Sequence, residues 1–248
     1  MLKKILQRIA FGKTSWDPVQ YWSGRAADPD TMSVMWANFT YNDLVDRDEW
    51  DVIARHLPAR RDSVLDLGCG TGRMSARLAG TFREYTGVDM EAMVSEARRR
   101  NPSLADRFVS ATVESYTFPS ETFDLVLSLG CIATACSKEK LEELAPRMAR
   151  AVRPGGTLLL IEPFHESWLL TRGCKTTAND VAALFSGLGL RVAHIGGMLF
   201  PPFRMVLSEK AFDGMPRLTE VGYRVGEALV RLRPVSLADY KVITLTRP

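Results

Sequence analysis

Val64-Leu-Asp-Leu-Gly-Cys-Gly-Thr-Gly72 decides the fold. Ser63–Leu67 reads as a buried strand and Thr71–Ala79 as a helix, with glycines between them. Gly68 and Gly70 let the backbone turn tightly and approach a ligand closely. The first free N–H groups of the following helix face that ligand. Asp66 stands at the end of the strand, where open α/β sheets bind ligands.

The spacing narrows the ligand. A dinucleotide fingerprint needs G-x-G-x-x-G. Here the third glycine position holds Arg73, and the glycines run G-x-G-x-G. Asp66 repels a pyrophosphate and suits an ammonium. A second acid, Asp89, ends the next strand about twenty residues past the glycines, where a carboxylate accepts both ribose hydroxyls of an adenosine. Ammonium and ribose together describe S-adenosylmethionine (SAM). The plainer alternative is a tight strand–helix turn with a capping Asp, which does not account for Asp89 in register.

Outward from this stretch a strand–helix alternation runs along the chain. Strands are expected at Tyr85–Asp89, Phe108–Ala111, Phe123–Leu129, Thr157–Glu162, Arg191–Ile195 and Tyr240–Thr246. Helices are expected at Asp46 to about His56, Glu91–Arg100, Lys138–Val152, near Thr177–Leu188 and near Leu218–Arg231. Asp46 is read as a helix N-cap, Pro154-Gly155-Gly156 as a helix stop and Pro201-Pro202 as a loop. Such units build a parallel sheet with helices on both faces.

Four runs, VLDLGCGTG (64–72), TGVDME (86–91), TVESYTFPSETFDLVLSLG (112–130) and RPGGTLLLIEP (153–163), follow one another in order. In these the chain resembles the class I SAM-dependent methyltransferases, over roughly residues 45–165. The resemblance implies a doubly wound, mostly parallel, seven-stranded Rossmann-like sheet with an antiparallel last strand. It also implies SAM contacts. Gly68, Cys69 and Gly70 pass beneath the methionine part, and Met90 packs against adenine. Thr112 takes the place of an Asp that bonds the adenine amine in relatives. The Val113 N–H serves adenine N1, and the Leu129 backbone touches the methionine end. A hydroxyl accepts more weakly than a carboxylate, so Thr112 implies a looser adenine grip.

Two regions are left for the acceptor. Residues 1–45 form a helical cap or lid region, and 46–248 the SAM-binding domain with substrate-binding elements in 163–235. Tyr21, Trp22, Trp36 and Tyr41 either fold over the cofactor or pack the sheet edge. Phe200, Phe203, Met198 and Met205 either wall the acceptor site or fill the core. His165, just past the fifth strand, is the candidate general base. Glu162 and Glu166 read as loop or supporting groups, His56 and His194 as structural, and Cys131 and Cys136 as small pocket-wall residues.

Composition constrains partners. Of 248 residues 46% are apolar and 25% charged, ordinary for a folded soluble protein. The net charge is +3, yet residues 1–13 alone carry +4, so the remainder is −1. No basic stripe of a nucleic-acid binder stands out. The four cysteines show no metal spacing and read as reduced thiols of a cytoplasmic protein, with no metal site. Leu2, Ile5, Leu6 and Ile9 share one face of a short basic helix. That helix packs at home, lies on an anionic membrane as a peripheral contact, or meets a partner or second copy; the oligomeric state stays open.

The reading that results is methyl transfer from SAM to a small-molecule acceptor, O-methylation favoured. The alternatives are a lipid or quinone-precursor methyltransferase at the membrane surface, an adenosine-cofactor enzyme that does not methylate, such as an aminopropyl transferase, and a non-methylating SAM-binding protein.

Overall fold

The computed structural model describes residues 18–26, 36–167, 170 and 173–248. In chain order, α1 covers Pro18–Ala26, α2 Phe39–Arg55, β1 Ser63–Leu67, α3 Ser75–Thr81, β2 Glu84–Asp89 and α4 Glu91–Arg100. Then come β3 Phe108–Ser110, β4 Phe123–Leu129, α5 Ile132–Ala135, α6 Lys138–Ala151 and β5 Val152–Glu162. The last third holds α7 Ala178–Gly187, β6 Arg191–Met198, α8 Pro201–Leu207, α9 Pro216–Leu232 and β7 Tyr240–Thr246. The basic segment 1–13, Trp16 and the rest of the expected cap region outside 18–26 and 36–45 lie outside the described residues.

The seven strands form one sheet in the order β3-β2-β1-β4-β5-β7-β6. β7 runs antiparallel to both of its neighbours, and the other pairings are parallel. This is the expected mostly parallel architecture with helices on both faces. Each of the central strands β1 and β4 is buried almost throughout, as a sheet covered on both sides requires. Alternate residues feed two cores. Leu65, Leu67, Val126, Leu158 and Leu160 pack with α6 and α7. Val64, Leu125, Leu127, Leu159 and Ile161 pack with α2, α3 and α4. The order reverses between β1 and β4, so their connections leave in opposite directions and open a crevice at their C-terminal ends.

Four expected boundaries are corrected, each for a physical reason. Helix α2 starts at Phe39, because Asn38 caps it by accepting from the Tyr41 N–H at 3.2 Å. Asp46 lies mid-helix with its carboxylate committed to arginines. Helix α3 starts at Ser75 and not at Thr71, because Gly70 and Gly72 have φ of 55° and 83°, outside right-handed helix. Pro154-Gly155-Gly156 sits inside β5, at an irregularity of the β4–β5 pairing. Pro201-Pro202 opens α8, where a missing N–H costs nothing at the first helical turn.

Candidate cofactor site

The glycine turn is shaped by one closed and one open face. Gly68 has φ of 81°, and a side chain there would collide with Cβ and Sγ of Cys131. Gly70 is also left-handed, yet nothing stands within 4 Å of where its Cβ would be. The open face of Gly70 is therefore the floor of a cavity. The turn is tied to β2, since the Gly68 and Cys69 N–H groups both donate to the Val88 carbonyl at 2.8 and 3.1 Å.

Asp89 joins the turn to the start of α4. Its Oδ2 accepts from the Gly70 N–H at 2.8 Å and its Oδ1 from the Met90 N–H at 2.7 Å. Burial pushes this carboxyl up while the two backbone bonds pull it down. Each oxygen keeps a lone pair for a further donor.

Asp66 is buried at the end of β1 and accepts from the Tyr85 hydroxyl at 3.0 Å. Tyr85 is itself 2.7 Å from Ser75 Oγ. Burial raises the Asp66 carboxyl to about 7, against the pull of the Tyr85 bond. A cation placed at Asp66 would favour its ionised form.

Asp66, Gly68, Cys69, Gly70, Asp89, Met90, Thr112, Val113 and Leu129 all line one cavity of about 280 Å³. The sequence thus names a contiguous wall. Thr112 is engaged locally, since its Oγ1 lies 3.1 Å from Ser115 Oγ and accepts from the Ser115 N–H at 3.2 Å. The Val113 N–H has no partner among the described residues. Sequence reasoning does not single out Thr71, whose buried Oγ1 also lacks a partner there and which lines the same cavity. Its place inside the glycine motif is the signal that was available.

Glu162 holds the opposite rim. Its Oε1 accepts from Ser128 Oγ at 2.6 Å, the Cys131 N–H at 3.0 Å and the Ile132 N–H at 3.2 Å. Its Oε2 accepts from the Ala133 N–H at 3.1 Å. The buried carboxylate thereby fixes the turn that carries Leu129, Gly130 and Cys131. Burial raises it to about 7 and these four bonds oppose that.

Arg73, which also lines the cavity, is gripped by α2. It lies 2.5 Å from Asp46 Oδ1 and 2.5 Å from Glu49 Oε2, and Arg77 lies 2.6 Å from Asp46 Oδ2. Glu49 is fully buried, so burial raises its carboxyl against the pull of Arg73.

The two readings of the aromatic region divide along the chain. Val19, Trp22 and Arg25 of α1 line the cavity, and Ser23 Oγ lies 3.8 Å from Met90 Sδ. Trp36 and Tyr41 instead pack edge-on against each other and against Tyr240 and Tyr223. Phe203 and Met198 belong to that second core.

His165 is not part of the cavity wall. Its Nε2 lies 2.8 Å from the Asp239 carbonyl and 3.0 Å from Asp239 Oδ1. Both partners are acceptors, so Nε2 carries the proton. Asp239 is held from its other side by Arg204 Nε at 2.7 Å, and that pairing keeps its carboxyl below the usual range despite burial. His165, just past β5, is thus tied to the end of the 199–239 segment. His56 and His194 stack on each other with centroids 4.8 Å apart. All four cysteines are free thiols, and Cys131 lines the cavity while Cys136 is buried. Glu166 is exposed.

Residues 64–156 match the family model of a methyltransferase domain. The chain is 32% identical over 114 residues to the uncharacterized methyltransferase YodH of Bacillus subtilis, covering 45% of this chain and 47% of that protein. It is 33% identical over 99 residues to a fatty-acid O-methyltransferase of Mycolicibacterium smegmatis, covering 39% of this chain and 35% of that protein. The chain thus spans half or less of the length of these curated relatives. Among solved structures, the geranyl diphosphate C-methyltransferase of Streptomyces coelicolor superposes with a TM-score of 0.62 at 14% identity, covering 91% of this chain and 88% of that one. At that identity the likeness speaks for the fold alone.

Proposed function

Because residues 64–156 match a methyltransferase domain, we propose that this chain is a class I SAM-dependent enzyme that transfers a methyl group from SAM to a small apolar acceptor, at oxygen. One observation carries the reading. Two carboxylates, Asp66 and Asp89, flank the open face of Gly70 in a single cavity.

The residues present fit SAM. Asp66 offers a carboxylate to an ammonium, and Asp89 has lone pairs for two hydroxyls. The unpartnered Val113 N–H and Thr71 Oγ1 supply further polar contacts. Met90 and Met93 give an apolar surface for a base. When bound, SAM supplies an electrophilic methyl on a sulfonium. The chain's part is to hold and orient. Asp89 keeps the Gly70 turn fixed, Glu162 keeps the Leu129–Cys131 turn fixed, and α1 covers the cavity with Trp22. Excluding water and aligning the acceptor account for most of what the protein contributes to such a displacement.

Support for an oxygen acceptor comes from the relative named as a fatty-acid O-methyltransferase, and for an apolar one from Val19, Trp22, Cys131 and Ala135 in the cavity wall. With Nε2 of His165 donating to Asp239, Nδ1 is the ring nitrogen left to take a proton from an acceptor. This base role is a separate proposition, and a His165→Ala enzyme with an unchanged turnover–pH profile removes it.

The test is calorimetry with SAM and S-adenosylhomocysteine, followed by labelled-methyl transfer to a panel of fatty acids, phenols and quinols. Binding of both ligands is expected, with about a hundredfold loss in Asp89→Ala, on the order of two hydrogen bonds to a charged group. Unchanged affinity in that variant overturns the site. Binding with no transfer to any acceptor overturns the activity.

A further inference from the structure

Helix α9 buries one face and presents a second apolar face that no described residue covers. Thr219, Tyr223, Gly226 and Val230 are buried against the body of the protein. Leu218, Val221, Val225 and Leu232 are 52%, 61%, 47% and 73% exposed. At about 100° per residue these four fall within roughly 60° of one another, well away from the buried row. Arg217, Arg224 and Arg231, all exposed, recur every seven residues and so form a second row beside the stripe. Arg224 also lies 2.5 Å from Glu220 on the far side of that row.

Singly exposed aliphatic residues are ordinary on protein surfaces. A stripe of four along one helix, edged by cations, is the pattern of a helix lying flat in a lipid interface. We propose that this face of α9 docks on an anionic bilayer, with the stripe seated among the lipid chains and the arginines against the headgroup phosphates. The arginine row selects this occupant. Residues 1–13 carry four cations and no acid, so seating them here would set like charges side by side. An unflanked apolar groove on another protein would leave the row unmatched. No helix among the described residues is long and apolar enough to cross a membrane, so the contact is peripheral. The proposal is independent of the methyl-transfer reading and holds for a chain with any reaction.

Co-sedimentation of the full chain with vesicles tests it. Vesicles of phosphatidylcholine are compared with vesicles of phosphatidylcholine containing 30 mol% phosphatidylglycerol, at low and high salt, on the order of 0.05 and 0.5 M. The chain is expected to pellet with the anionic vesicles at low salt and much less in the other conditions. Val221→Gln with Val225→Gln should lower partitioning about tenfold. Arg217→Gln with Arg231→Gln should lower it by a similar factor on anionic vesicles only. Glutamine suits an exposed helix, and equal thermal midpoints of parent and variants verify folding. Three results overturn the proposal. They are no pelleting with anionic vesicles, full pelleting in both variants, and a solution dimer of the parent that the valine pair alone dissociates.

Discussion

The Tyr85 hydroxyl donates to Oδ2 of Asp66 at 3.0 Å, reaching from β2 to the neighbouring strand β1. It can do so because Gly87 stands opposite Asp66 in the pairing and a Cβ there would meet that hydroxyl. Asp66 is thus a buried carboxyl whose charge depends on one donor and on whatever fills the cavity.

Ligand affinity should therefore follow Asp66. Its carboxyl sits at about 7, so it is mostly neutral at pH 6 and ionised at pH 8. S-adenosylhomocysteine, which carries the ammonium, should bind about tenfold more weakly at pH 6 than at pH 8, one tenfold per unit below the midpoint. Tyr85→Phe removes a bond that favours the charged form, so the inflection should move to higher pH. Calorimetry between pH 6 and 9 reads both, and flat affinity counts against Asp66 as the ammonium partner.

Stability should fall as pH rises from about 5 toward 8. Asp66, Glu162 and Glu227 are all raised to about 7 by burial, so the folded state keeps protons that the unfolded chain has lost in that window. Glu96, at about 2, and Asp239 are shifted the other way, and their stabilisation is already complete above the ordinary carboxylate range. His56, lowered by burial, opposes the trend near its ordinary value. Thermal midpoints across pH 5–8 should decline in the parent and decline less in Asp66→Asn with Glu227→Gln, where Glu162 alone of the three remains.

Gly68 and Gly70 should answer alanine differently. Gly68→Ala adds left-handed strain and a collision with Cys131, and should cost roughly 3 kcal/mol. Gly70→Ala adds strain alone, about 1 kcal/mol, and puts its methyl into the cavity. Urea unfolding should rank Gly68→Ala as the unstable variant. Ligand calorimetry should show Gly70→Ala folded but impaired in binding.

Glu162→Ala should destabilise by on the order of 3–5 kcal/mol, because three backbone N–H groups and the Ser128 hydroxyl lose a buried acceptor. Glu162→Gln keeps the shape but turns an N–H₂ toward donors, and should cost about 2 kcal/mol. Chemical denaturation distinguishes this from a loop glutamate, which would show neither loss.

The sheet was legible because strands buried on both faces write continuous apolar runs such as Phe123–Leu129, and β7 was legible for the same reason. The cavity wall was legible because glycine geometry and acid placement are local. What was not legible depends on distant partners. Asp46 looks like a cap until Arg73 and Arg77, in another element, claim its carboxylate. Pro201-Pro202 ends or begins a helix equally well on local grounds, and packing of Phe203 into the core decides. Trp22 and Trp36 are the same residue type in one short region, and only the folded chain sends one to the cavity and the other to Tyr240. His165 is visible just past the fifth strand, but its partner Asp239 lies 74 residues further along the chain.

The grip of α2 on Arg73 has a consequence for genetics. Asp46 and Glu49 precede the glycine turn and do not line the cavity, yet they fix the guanidinium that does. Losing either acid should give the phenotype of a cofactor-site lesion. Suppressors of such lesions should arise at Arg73 itself, in the turn before α3 that lines the cavity.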